Sequence, residues 1–250
     1  MTGRNGEYTT DEMMAVEAAR RLDDDSVCFV GIGLPSQAAN LARATHAPGC
    51  TLIYESGAIG AKPSRLPLSI GDGELAETAD AVVSVPEIFA YWLQAGRIDI
   101  GFLGAAQIDR FGNLNSTVIG DYDKPSTRLP GAGGAPEISS CCHETYVIAR
   151  QSPRTFVERL DFLTTAGRPG REGAAGVTLV VTDLGILERD PGTDELALTA
   201  VHPGVAVEEA RAATGWELRV SEPLGLTEAP TGAELAALRA LSTAGERSIA

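Results

Sequence analysis

Apolar positions follow two rhythms along the first hundred residues. MMAVEAARRL repeats its apolar side chains at helical spacing, and Thr9 with Glu12 three residues on makes a capping-box signature just ahead of it. SVCFVG is instead a continuous apolar run rich in β-formers, the pattern of a strand covered on both faces. GIGLPS breaks that run, SQAANLARAT reads as a second helix, and TLIY reads as a second strand that leads straight into Glu55-Ser56-Gly57. ADAVVSV, a helix from Pro86 to Gln94 and IDIGFLG continue the alternation. Apolar strands alternating with helices predict an α/β fold, a single open and largely parallel sheet flanked by helices.

From Asn113 on the texture changes. NSTVIGDY, STRLPGAGGAPEI, ETYVIARQ, TFVERLDFLTT and VTLVVTDLGILE are β-rich pieces divided by Gly, Pro and Asp. AGRPGREGAAG, residues 166–176, contains no strand former and reads as a surface loop. VAVEEARAATG ends on Gly215 as an expected C-cap, and GAELAALRAL supplies a final helix. No linker divides the chain, so residues 1–250 are expected to form one domain.

Composition narrows the partners. A formal charge of −14 removes the basic surface that nucleic-acid binding requires. Any anionic ligand must then be held by local donors against the field of the whole protein. No apolar run approaches the ~20 residues of a membrane span, and MTGRNGEYTTDEMM lacks the basic and apolar regions of a signal peptide. Cys28, Cys50, Cys141 and Cys142 show no metal-ligand spacing, which points to reduced thiols, a cytoplasmic chain and no metal.

Glu55 stands out by position, at the C-terminal end of an apolar strand where open α/β sheets place their ligand crevices. Ser56 and Gly57 allow a sharp turn there and offer backbone amides. Gly31-Ile32-Gly33 resembles the opening of a dinucleotide fingerprint, with Glu55 near the ribose-binding position, but Ser36 stands where its third glycine belongs and Pro35 occupies the turn. In PGAGGAPEI, Gly131, Gly133 and Gly134 permit close backbone approach, and their amides suit an anion nest or oxyanion hole as well as a plain loop. Gln107, Asn113 and Asn115 follow the IDIGFL strand as candidates to orient a substrate, although Asp-Arg-Phe-Gly-Asn is also good turn chemistry. Lys62, Arg65, Lys124 and Arg128 are candidate carboxylate anchors or ordinary surface charges. His46, His143 and His202 have no triad-like partners, and Cys141-Cys142 read as packing residues.

The strings VGIGLPS, ESGAIGAKP, GAAQIDRFGNLNSTVIGDY, RLPGAGGAPEI and VVTDLGIL, in this order over most of the chain, resemble the B subunit of class I CoA-transferases. Within that family it resembles the 3-oxoadipate and glutaconate CoA-transferase B subunits, the former more so around ESGAIGAKPSRLPLSIGDGELAETAD. The resemblance implies the fold shared by CoA-transferases and NagB-like proteins, with Glu55 as the covalent nucleophile. It assigns the glycine loop at Gly133 and Gly134 to the acyl and oxyanion region. Coenzyme A would be a substrate, with no permanently bound cofactor. The partner implied is an A-type subunit in a hetero-oligomer, expected as a heterotetramer. The activity implied is transfer of CoA from succinyl-CoA to 3-oxoadipate. Three alternatives stand beside it: glutaconate CoA-transfer, hydrolysis of a ring-cleavage thioester, and a non-catalytic CoA-binding subunit. Retention of the E-S-G element favours transfer over the last two.

Overall fold

The computed structural model describes residues 7–247, with side chains to Ser242. The chain divides into two compact units, one running up to Phe102 and resuming from Ala229, the other spanning Leu103–Glu228.

The first unit starts with helix α1 (Thr10–Ala19), held by the capping box that its sequence announces. The Glu12 amide donates to Thr9 Oγ1 at 3.1 Å, and the Thr9 amide donates to the Glu12 carboxylate at 2.7 Å. Two donors that the first turn leaves orphaned are thereby satisfied. Strand β1 (Val27–Phe29) runs parallel to β2 (Thr51–Ile53) and to β5 (Ile100–Leu103), and helix α2 (Leu34–Ala44) crosses between β1 and β2. Cys28, Phe29, Leu52 and Ile53 are buried, as continuous apolar strands require. The short β3 (Ala58–Ile59) and β4 (Ala81–Val82) then turn antiparallel, giving the order β5-β1-β2-β3-β4. Between them lies α3 (Gly73–Glu77). After β4, α4 (Val85–Glu87) continues into a π-helical segment, Ile88–Leu93. The expected helix at 86–94 therefore forms as one short turn and a widened one. ADAVVSV was expected to extend the parallel core, yet only Ala81–Val82 pairs, antiparallel and exposed, because it joins the outer edge of β3, which has already reversed against β2.

The second unit has the strand order β14-β13-β12-β11-β10. Strand β10 (Glu144–Ile148) pairs parallel with β11 (Val177–Val181). β11, β12 (Gly185–Arg189) and β13 (Leu196–Val201) follow as an antiparallel meander. Helix α6 (Val207–Ala212) carries the chain to β14 (Arg219–Leu226), parallel to β13. Two small ribbons, β6 (Gln107–Ile108) with β7 (Leu114–Asn115) and β8 (Val118–Gly120) with β9 (Pro125–Arg128), lead to helix α5 (Ala135–Cys141). The last helix, α7 (Gly232–Arg247), returns to the first unit, where Arg20 of α1 grips Glu234 with two bonds of 2.8 Å.

The fold is thus α/β with mixed pairing: β5-β1-β2 run parallel in the first unit, and in the second the antiparallel strands β11-β12-β13 are flanked by β10 and β14, each parallel to its neighbour. TFVERLDFLTT forms no named strand. Its Phe156 and Thr165 make single bridges to Ile108 and Leu114. Gly215 is not the cap of α6, a place taken by Ala213. It is glycine because a Cβ would lie 2.6 Å from the Phe156 carbonyl oxygen, which its own amide reaches at 2.7 Å.

Candidate active site

Glu55 is the first residue of a three-residue hairpin loop joining β2 to β3. The Tyr54 amide donates to the Ala58 carbonyl at 3.0 Å and the Gly57 amide to the Tyr54 carbonyl at 3.0 Å, so residues 55–57 alone form the loop. This is the pattern of a turn closed by a residue of positive φ. Gly57 supplies it, with φ +113, and a Cβ there would sit 1.9 Å from the Val83 carbonyl oxygen. The loop is therefore pressed against the start of the β4–α4 connection, and only glycine fits. Glu55 itself is half-buried, and its carboxylate has no hydrogen bond or ion pair among the described residues.

The loop after β1 lies beside it. Val30 donates to the Ile53 carbonyl at 2.9 Å, so the parallel register delivers Gly31-Ile32-Gly33 next to Tyr54 and Glu55. Gly33, at φ +88, is the N-cap of α2 and offers no capping side chain, and nothing lies within 4 Å of a Cβ built on Gly31 or Gly33. The motif that imitates a dinucleotide fingerprint thus opens a helix N-terminus beside a carboxylate. That neighbourhood could be read from sequence only once β1 and β2 were known to pair in parallel.

Behind the loop, Tyr54 is fully buried and its phenolic oxygen accepts from Asn40 Nδ2 at 3.2 Å, with Ser36 Oγ at 3.5 Å. Burial raises the Tyr54 pKa, against the hydrogen bonds from Ser36 and Asn40, so the phenol stays neutral.

In the second unit, Gly131 (φ +103) and Gly133 (φ +49) lie in an open loop that ends at Gly134, the N-cap of α5. A Cβ on either Gly131 or Gly133 would meet nothing within 4 Å. The Gly131 amide is spent on the Ser116 carbonyl at 2.9 Å, whereas the Gly133 and Gly134 amides have no hydrogen bond among the described residues.

The weaker candidates have structural partners. Gln107 and Asn115 are buried and bonded to each other at 2.8 Å, and Gln107 also donates to Asp161 at 2.9 Å. Asn113 is tied to Asp109 at 2.9 Å and accepts from the Gly167 amide at 2.8 Å. Arg65 is held by Asp72 at 2.8 and 2.9 Å and by Glu74 at 2.9 Å, and this guanidinium holds the Asp72 carboxyl down to about 2. Lys62 pairs with Asp80. Arg128 stacks over the Tyr122 ring at 5.0 Å and donates to its carbonyl at 3.0 Å. Lys124 is exposed and its ammonium has no partner among the described residues. None of these except Lys124 is idle. Of the histidines, His202 is buried between Thr227 and the Thr182 carbonyl, both at 2.8 Å, with its pKa lowered by burial. All four cysteines are buried thiols outside any disulfide, and no helix among the described residues is long and apolar enough to cross a membrane.

The α/β fold thus presents, on a tight loop beside a helix start without a capping side chain, a carboxylate that has no partner among the described residues. The model of the coenzyme A transferase family matches residues 11–213, and the chain belongs to that family. It is 58% identical over 246 residues to the B subunit of 3-oxoadipate CoA-transferase from Pseudomonas knackmussii, covering 94% of this chain and 93% of that one. The crystal structure of glutaconate coenzyme A-transferase from Acidaminococcus fermentans superposes with a TM-score of 0.89 at 33% identity, covering 96% of each chain. The decarboxylase AibA/AibB gives 0.84 at 32% identity, over 96% of this chain and 98% of that one.

Proposed function

We propose that the chain is the B subunit of a two-subunit CoA-transferase that moves CoA from succinyl-CoA to 3-oxoadipate, with Glu55 as the covalent carrier. The observation that carries the mechanism is the Glu55 loop: a carboxylate without a protein partner among the described residues, raised on a three-residue turn. The observation that carries the substrate is 58% identity, across nearly the whole chain, to the B subunit of a 3-oxoadipate CoA-transferase.

An ionised carboxylate needs no general base to attack a thioester. One Glu55 oxygen adds to the acyl carbonyl, the C–S bond of the tetrahedral adduct breaks, and CoA leaves as thiolate, with the acyl-glutamyl mixed anhydride left behind. The thiolate then attacks the Glu55 carbonyl carbon, and the C–O bond to the donor acyl group breaks. Succinate departs and glutamyl-CoA remains. The acceptor carboxylate runs both steps in reverse, regenerating the Glu55 carboxylate and releasing the new acyl-CoA. Each addition develops an oxyanion, for which backbone amides are suitable donors. We assign that work to the Ser56 amide, which follows Glu55 in the same loop, since the Gly57 amide is already engaged by the Tyr54 carbonyl. Coenzyme A enters as a substrate, and the A-type partner completes the enzyme.

The test is a specificity panel on the chain co-expressed with its A-type partner. Succinyl-CoA with 3-oxoadipate should give the highest kcat/KM. A much higher value for glutaconate with acetyl-CoA would hand the substrate assignment to the glutaconate enzymes.

A further inference from the structure

The residue before the nucleophile is as unusual in its setting as Glu55 itself. Tyr54 has no exposed surface, yet it carries a hydroxyl. That hydroxyl meets two side chains one helical turn apart on α2, Ser36 and Asn40, which are themselves 1% and 2% exposed. A buried polar group is costly unless it is bonded, and a wholly apolar residue would serve the core better if packing were its only task. The arrangement is also overcommitted. Asn40 Nδ2 has two hydrogens and three acceptors in reach, the Ser36 carbonyl at 2.9 Å, Ser36 Oγ at 3.2 Å and the Tyr54 hydroxyl at 3.2 Å. Its Oδ1, meanwhile, has no partner among the described residues.

Both ends of this network lead to Glu55. Tyr54 closes the three-residue loop with its own amide and carbonyl, so fixing its side chain fixes the root of the Glu55 residue. Ser36 lies in the first turn of α2, shortly after Gly33, in the segment that runs beside Glu55. A hairpin loop of three residues on strands of three and two residues has little rigidity of its own.

We infer that Tyr54, Asn40 and Ser36 form a buried clamp tying the Glu55 loop to the first turns of α2, and that the Tyr54 hydroxyl is a positioning group for the acyl-transfer step. The inference rests on the reading of Glu55 as the covalent carrier. The clamp touches no substrate. It acts by holding the carboxylate within the narrow range of attack geometry, where a displacement of ~1 Å can cost ~10²-fold.

The experiment uses the co-expressed complex, succinyl-CoA and no acceptor, with rapid quenching and mass spectrometry of the residue-55 peptide. Tyr54→Phe should slow formation of the Glu55–CoA adduct by ~10- to 100-fold while KM for succinyl-CoA stays within about twofold. Asn40→Leu leaves Tyr54 whole and should slow the same step at least ~10-fold. The double variant should be no slower than the worse single one, because the residues act as a unit. Leu52→Val, a truncation in the core of the same strand, should lower the melting temperature and leave the adduct rate within about twofold. Adduct formation at the wild-type rate in Tyr54→Phe or in Asn40→Leu overturns the inference, as does an equal loss in Leu52→Val. A wild-type complex that forms no adduct at all brings down instead the reading of Glu55 on which the clamp depends.

Discussion

Gly57 and Gly133 share a positive φ but differ in their surroundings, and the difference is measurable. At Gly57 the strain of φ +113 is joined by a Cβ contact of 1.9 Å with backbone, whereas at Gly133 the space is open. Gly57→Ala should therefore cost ~3 kcal/mol or more in chemical denaturation, and Gly133→Ala only about 1 kcal/mol from the left-handed backbone alone. Equal losses would show that the Glu55 loop is not pressed against Val83. Among charged candidates, sequence could not separate Lys62 and Arg65 from idle surface cations, because their partners lie elsewhere in the chain. Asp80 is eighteen residues from Lys62 and Asp72 seven from Arg65, separations set by the β3–β4 connection rather than by a local motif. Gln107 and Asn115, eight apart, look like a substrate-orienting pair in one dimension and bond to each other in three. The loop that carries Glu55 was legible because its signal is local: an apolar strand followed by a turn sequence with Gly57.

Elements written in local code form as the sequence predicts. The capping box of α1 is the plainest case, and Thr9→Ala should lower stability by ~1 kcal/mol, read from an unfolding titration. The edges of the sheet are less legible. ADAVVSV has the apolar content of a core strand, but β3 is two residues long and its return puts Val82 on the outside, 58% exposed. One tie between α7 and α1 is a pair that no pattern announces, Arg20 with Glu234 across 214 positions. Burial alone would raise the Glu234 pKa. The hydrogen bonds from Arg20 and Thr231 outweigh it and bring the carboxyl down to about 2. A carboxylate depressed in the folded state stabilises it above its unfolded pKa, and that contribution fades as pH falls from about 4.5 towards 2. Glu234→Gln should thus be roughly 1 kcal/mol less stable than wild type at pH 7, with the gap closing as pH falls through that window. A gap that stays constant from pH 7 to pH 2.5 would remove the ion pair from the account.

For the molecule as a whole, alternation of apolar strands and helices was enough to give the α/β class. The split into two compact units was not legible, since its first boundary, at Phe102, falls inside the apolar strand β5 where composition does not change. The net charge of −14 gives anionic CoA no long-range attraction, so the donors that hold it must be local, on this chain or on the A-type partner. The purified chain alone should accordingly show little transferase activity and gain it on co-expression with that partner. Robust turnover by the single chain would contradict the two-subunit reading.

The central claim is that Glu55 carries CoA. The most direct measurement is intact and peptide mass spectrometry of the complex after incubation with succinyl-CoA and no acceptor acid. A CoA adduct on the peptide containing residue 55, removed by hydroxylamine, abolished by borohydride reduction and absent from Glu55→Ala and Glu55→Gln, is the predicted result. Turnover should fall in parallel by several orders of magnitude, on the order of losses at other covalent nucleophiles. A Glu55→Ala complex that turns over like wild type, with no adduct in either, would contradict the account.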